Sequence, residues 1–137
     1  EKSKVCLSST LKGYLKSTAY SSQVMISDLG DEEVNPALFC TAVDNLIRNG
    51  LKYNDSDSKL VKIYKQGTSI IVEDNGRGMN KSEFEEYSKP YTRKKENTES
   101  GSGLGLNICI AIIKEHDWKL EIVKSKKGTK LKIITDK

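Results

Sequence analysis

The sequence predicts an α/β (α+β) two-layer sandwich: one mixed, mostly antiparallel sheet of about five strands, covered on one face by about three helices. Three observations predict it. Two runs, around residues 35–53 and 104–116, repeat apolar residues at helical spacing. Four short apolar runs fall into two pairs, each joined by a Gly-bearing turn, as hairpins are. The chain has 137 residues, 36% hydrophobic and 31% charged, enough for one domain with a core and too few for two.

Taken in order, "SSTLKGYLKSTAYSS" carries a modest helical period, "QVMIS" reads as a strand and "DLGDEEV" as a turn. A strong helix follows. Asn35 can cap it, Pro36 fits its first turn, and Phe39, Val43, Leu46 and Gly50 recur on one face until "KYNDSDS" ends the pattern. "KLVKIYKQ" and "TSIIVEDN" are strands joined at Gly67. Residues 80–103 are polar, lysine-rich and weakly periodic, and read as a long mobile loop with some helix; a loop of that length in a small domain is usually functional. "LGLNICIAIIKEH" is a second good helix, and "WKLEIVKS" and "TKLKIITD" close the sheet as a hairpin around "KKG". No repeat or linker divides the chain, so residues 1–137 are expected to form a single domain.

Composition excludes several classes of function. The net charge is only +4, and the C-terminal lysines have no interleaved aromatics to stack bases, so they read as guards of a sheet edge and no nucleic-acid partner is expected. Three separated cysteines, no Cys-X-X-Cys pair and a single His argue against a zinc site. Cys40 and Cys109 sit in apolar helical runs, as buried thiols in a reducing cytoplasm would. "ICIAII" is far too short to span a membrane, no signal peptide opens the chain, and the abrupt start "EKSKV" suggests a piece of something larger.

Three stretches carry chemistry. On the first helix, Asn45, Asn49, Lys52 and Tyr53 fall within an arc of about 100° beside the apolar stripe. Such amides are either exposed surface or oxygen donors to a hard cation such as Mg²⁺. In "DNGRGM", Asp74 ends a buried strand, where an unpaired carboxylate is costly. It either caps the turn or accepts a hydrogen bond from a ligand donor such as an exocyclic amine, while Gly76 and Gly78 permit close approach of backbone. In "GSGLGLNI", Gly101, Gly103 and Gly105 lead straight into a helix, which presents bare N–H groups to an anion or serves as a hinge. The spacing is neither the dinucleotide-binding fingerprint nor a P-loop.

"DNLIRNGLKYND", "DNGRGM" and "GSGLGL", in that order and with the polar loop before the last, resemble the N, G1 and G2 boxes of the sensor histidine kinase ATP-binding domain, within the wider gyrase, Hsp90, histidine kinase and MutL superfamily. The resemblance runs from about "QVMIS" to "KGTKLKI" and implies a Bergerat-type fold with residues 80–103 as an ATP lid. By that resemblance Asn49 ligates Mg²⁺, Asn45 supports the metal or phosphates, Lys52 reaches the phosphates and Tyr53 lies against the adenine. Asp74 accepts a hydrogen bond from the adenine amino group, with the Thr129 hydroxyl assisting it. Gly76, Gly78 and Met79 line the nucleotide's path, and Gly101, Gly103, Leu104, Gly105 and Leu106 cover the phosphates. Arg93 and Lys94, with Lys95 beside them, are lid cations placed to neutralise γ-phosphate charge.

Hydrolysing members of the superfamily carry a Glu four residues before the metal-binding Asn. Here that residue is Asn45, and an amide takes no proton; Asp44 points about 100° away around the helix. The resemblance therefore implies a protein-histidine kinase that transfers a phosphoryl group from ATP. The acceptor would be a histidine on a dimerisation domain absent from this chain, for relay to a response regulator's aspartate. The domain would be cytoplasmic, without membrane contact of its own. The alternatives are a hydrolytic ATPase of the same superfamily and a nucleotide-binding pseudokinase or scaffold. Two positions depart from the family. "SKPY" replaces its Phe-X-Pro-Phe box, leaving Phe84 or Tyr87 to fill the space, and His116-Asp117-Trp118 stands where His-Gly-Gly is common. His116 matches a structural position at a helix end.

Overall fold

In the computed structural model, which describes residues 1–52, 54–88 and 104–135, five strands form one mixed sheet. They are β2 (Val24–Ile26), β4 (Val61–Gln66), β5 (Ser69–Asp74), β6 (Lys119–Val123) and β7 (Lys130–Ile134), in the order β2-β4-β5-β7-β6. Only the β2–β4 pair is parallel. The sheet thus has the strand number and orientation expected from sequence. β5 lies at its centre, and its first four residues, Ser69 to Val72, are all buried. β6 forms one edge.

Among the described residues four α-helices accompany the sheet, one more than the sequence predicts: α1 (Leu7–Leu15), α2 (Pro36–Lys52), α3 (Lys81–Ser88) and α4 (Leu104–Glu115). The Asn35 side chain caps α2, its Oδ1 accepting the Leu38 N–H at 3.1 Å. Phe39, Val43, Leu46, Ile47 and Gly50 of α2 are buried. α2 and α4 pack on each other and over the sheet, with the Phe39 ring edge-on to Trp118 at 6.3 Å. Cys40 and Cys109 are buried thiols, as expected. α3 occupies the start of the polar loop. Asn80 and Glu83 cap it reciprocally, the Glu83 N–H donating to Asn80 Oδ1 (2.8 Å) and the Asn80 N–H to Glu83 Oε1 (3.0 Å). Phe84 packs against the core.

"DLGDEEV" is not merely a turn. Asp31–Val34 form a strand, β3, antiparallel to β1 (Ser3–Cys6), in a separate two-stranded sheet. Of its residues only Val34 is buried, so no apolar alternation marks it in sequence. Its stability comes from pairing with a distant segment, with Lys4 opposite Glu33.

The end of α4 explains the departure from His-Gly-Gly. His116 is buried; its Nδ1 donates to the Ile112 carbonyl (2.9 Å) and its Nε2 accepts the Asn35 N–H (3.1 Å), tying the end of α4 to the start of α2. Asp117 takes the left-handed conformation (φ 62°), and the Asp117 and Trp118 N–H groups close the helix onto the Lys114 and Ile113 carbonyls. A side chain in that conformation is strained where glycine is not. Asp117→Gly is therefore expected to raise stability by about 0.5–1 kcal/mol, read as a higher thermal midpoint. A lower midpoint would refute the strain assigned to Asp117.

Candidate functional site

A pocket opens where α2, the end of β5, α3, α4 and the start of β7 converge. Its centre is Asp74. Its backbone N–H donates to the Thr129 carbonyl at 2.9 Å. Asp74 Oδ1 accepts the Gly76 N–H (2.8 Å) and the Thr129 N–H (3.2 Å). Oδ2 accepts no hydrogen bond among the described residues. It faces Gly50 of α2, where a Cβ would stand 3.1 Å from it. Burial pushes the Asp74 carboxyl above its ordinary range, against the pull of those two N–H groups, and Glu73 adds a smaller upward push. The result is a carboxylate satisfied on one oxygen and open on the other.

Glycines make this geometry possible. Gly128 (φ 79°) sits under Asp74, and a Cβ there would come within 1.9 Å of the Asp74 carbonyl oxygen. Gly50 lets α2 come down onto β5, since its own Cβ would lie 3.0 Å from Asp74 Cβ. The turn after β5 is braced by amides. Asn75 Oδ1 accepts from Asn54 Nδ2 (2.8 Å) and the Leu60 N–H (3.0 Å), and Asn75 Nδ2 donates to the Ser58 carbonyl (2.8 Å). "KYNDSDS" therefore does more than end a helix; it pins the Asp74–Gly78 turn.

Around Asp74 the walls are mixed. Leu46, Met79, Leu106 and Leu131 are apolar; Asn49, Arg77, Glu83 and Thr129 are polar. A slot with apolar sides and one open carboxylate oxygen can hold a flat heterocycle and accept a hydrogen bond from its amine. Of the residues singled out by sequence, Asn49, Asp74, Gly78, Met79, Leu106 and Thr129 meet in this pocket. Gly76 lies behind the wall, packed on Asn54. Asn45, half-buried, and Lys52, exposed at the end of α2, are not in the wall. Leu104 and Gly105 begin α4. Tyr53, Arg93, Lys94, Lys95, Gly101 and Gly103 lie outside the described residues.

Thr129 reaches Asp74 through its backbone N–H, and its hydroxyl makes no hydrogen bond among the described residues. Sequence reading missed Gly50, Gly128, Arg77 and Glu83. A glycine on the buried face of a helix signals close approach, and Asn-X-X-Glu is a capping-box pattern, so two of the four left a trace. Gly128 was visible only as part of a turn, and Arg77 carried no signal.

Asp44 faces elsewhere. It is buried, accepting from the Tyr20 hydroxyl on one oxygen and from Arg48 Nε (3.1 Å) on the other. Burial, then the hydrogen bond to Asp44 and its charge, push the Tyr20 hydroxyl up to about 12, and burial with the Asp44 charge pushes the Cys40 thiol up to about 11. This carboxylate is no part of the pocket wall.

Comparison with known proteins bears on this architecture. The family described as histidine kinase-, DNA gyrase B- and HSP90-like ATPase matches residues 34–137. Sporulation kinase C of Bacillus subtilis is 34% identical over 110 residues, covering 77% of this chain and 24% of that protein. The sensor histidine kinase CpxA of Escherichia coli is 31% identical over 86 residues, covering 60% of this chain and 19% of that protein. The chain thus spans a quarter or less of these relatives. Among solved structures, the mycobacterial sensor histidine kinase MprB superposes with a TM-score of 0.75 at 17% identity, over 98% of this chain and 96% of that one. The catalytic domain of histidine kinase ThkA, in a nucleotide-free form, gives 0.71 at 20% identity, over 97% and 95%. At these identities the likeness is one of fold.

Proposed function

The chain belongs to the histidine kinase-, DNA gyrase B- and HSP90-like ATPase family, and we propose that it is the ATP-binding kinase domain of a two-component sensor histidine kinase. In this reading it holds ATP and presents the γ-phosphoryl group to a histidine on a separate dimerisation domain, from which a response regulator's aspartate takes it. The observation that carries the proposal is Asp74, with Oδ1 held by two backbone N–H groups and Oδ2 open beside Gly50. An adenine amino group donates to that open oxygen, and Leu46, Met79, Leu106 and Leu131 enclose the ring.

Asn49 and Asn45 then mark the phosphate side. No group of three His, Cys, Asp or Glu able to hold a metal occurs among the described residues. A lone amide oxygen at Asn49 instead fits Mg²⁺, which keeps waters and takes its remaining ligands from phosphates. When bound, that ion would neutralise phosphate charge; this chain's part is to orient the phosphates with Asn49, Asn45 and Lys52 and to exclude water with the segment bearing Gly101, Gly103, Leu104, Gly105 and Leu106. Tyr53 would lie against the base, and Arg93 and Lys94 would meet the γ-phosphate.

Two features favour transfer over hydrolysis. Asn45 takes no proton, and both oxygens of Asp44 are engaged by Tyr20 and Arg48 away from the pocket. No helix among the described residues is long and apolar enough to cross a membrane, which is compatible with a cytoplasmic domain of a larger parent.

Calorimetric titration with ATP, with and without Mg²⁺, tests the assignment. One site that tightens with Mg²⁺ is expected, followed by phosphoryl transfer to a supplied dimerisation domain; no binding up to millimolar nucleotide would sink it. Asn49→Ala is expected to bind metal-free nucleotide as the wild type does, while losing about 10–100-fold of the metal-dependent affinity. An unchanged Mg²⁺ response in that variant would move the metal to another residue.

A further inference from the structure

Behind the wall formed by Arg77, Gly78 and Met79 lies a second, open groove of about 1110 Å³. One bank is the segment from Arg77 to Glu83, and the other is the connection from β6 to β7. Among the described residues four lysines line it, Lys81, Lys124, Lys126 and Lys127, together with Arg77 and one anion, Glu83. All four lysines are exposed. Met79, Ile122 and Val123 are the apolar side chains of the described lining.

That density of charge exceeds what an edge guard needs, because β6 itself carries only Lys119 and Glu121 on its exposed positions. The lysines gather beyond the strand, where they face the groove and not the sheet edge. Like charges held together repel, and the arrangement is relieved by an anionic occupant. Among the described residues no aromatic side chain lines the groove, so stacked bases would find no platform on them. Flexible ammonium groups with apolar side chains among them suit an extended acidic peptide, its carboxylates toward the lysines and its aliphatic carbons on Met79, Ile122 and Val123.

We propose that this groove is a docking site for an acidic, extended polypeptide segment of a partner protein. A segment seated there lies against the outer side of the wall that forms the Asp74 pocket, and beside Gly128, whose carbonyl a Cβ at Gly78 would approach to 2.9 Å. Recognition is dominated by charge, so it is fast, salt-sensitive and modest in affinity.

The test is fluorescence polarisation of a labelled, Asp/Glu-rich peptide of about twelve residues titrated with the full chain. No nucleotide is present, so the outcome stands apart from the ATP assignment. Saturable binding is expected. It should weaken at least ~10-fold when Lys124, Lys126 and Lys127 are together changed to Glu, and should fall steeply between about 50 and about 300 mM salt. A Lys→Gln version of the same triple variant, checked for an unchanged thermal midpoint, should give an intermediate loss. Equal binding by either triple variant, or equal binding of a Gly/Ser peptide, would overturn the proposal. Tighter lysine-dependent binding of a single-stranded oligonucleotide of equal charge, or of vesicles rich in anionic lipid, would overturn the polypeptide assignment.

Discussion

Asp74→Asn is expected to abolish nucleotide binding while leaving the domain folded. The asparagine oxygen can replace Asp74 Oδ1 and still accept the Gly76 and Thr129 N–H groups, at 2.8 and 3.2 Å in the wild type. Those two donors fix the amide's orientation, so its NH₂ is forced into the place of Oδ2. There it meets the adenine amino group donor to donor. A site built to accept one hydrogen bond loses heavily when its acceptor becomes a donor, and affinity should fall at least ~100-fold. Stability should move the other way. Burial raises the Asp74 carboxyl in the folded state. The stabilisation from its protonated form is thus present below the ordinary carboxylate value and lost as pH rises through the raised value. Asparagine never charges, so the variant should melt no lower than the wild type at neutral pH and should lack this part of the acid-side pH dependence. Calorimetry and melts across pH would read both effects. Retained ATP affinity in a folded Asp74→Asn protein would remove the base from Asp74.

Gly128→Ala is expected to be the most damaging small substitution in the described structure. At φ 79° the new side chain is strained, and its Cβ would stand 1.9 Å from the Asp74 carbonyl oxygen and 3.0 Å from Oδ1. The backbone has nowhere to retreat, because the Asp74 N–H is bonded to the Thr129 carbonyl at 2.9 Å and Gly78 passes over the Gly128 carbonyl. A loss of about 3 kcal/mol or more is expected in urea unfolding, accompanied by weakened nucleotide binding. Gly67→Ala is the control. Gly67 has a similar φ, 64°, but nothing within 4 Å of its Cβ position, so only the conformational cost of about 1–2 kcal/mol applies. Equal losses at the two positions would mean that backbone conformation alone, and not the contact with Asp74, makes Gly128 necessary.

The two hairpins, β4–β5 and β6–β7, and the two core helices were legible because each announces itself locally. Asn35 and Pro36 start α2, Gly67 turns β4 into β5, and apolar residues recur at the right period. β3 was not legible, since an acidic strand with one buried residue has no local signature and exists only through its pairing with β1. The same distinction separates the parts of the site. Asn49, Asp74 and Gly78 stood out in short boxes, because a helix face, glycine spacing and a carboxylate at a strand end are patterns along the chain, while Met79, Leu106 and Thr129 came only through the family resemblance of those boxes. Gly50, Gly128 and Glu83 could not be assigned to the pocket, because their roles depend on what lies across from them.

By itself, then, the sequence determined the two hairpins, the two core helices and their order, all properties of neighbours along the chain. Only the tertiary structure decided that Asp74 keeps one oxygen open, that the Thr129 backbone N–H reaches the other, and that Asp44 is turned to Tyr20 and Arg48. Those outcomes depend on how α2 and the β6–β7 hairpin close on β5, and close approach across a fold leaves no period in the sequence that produces it.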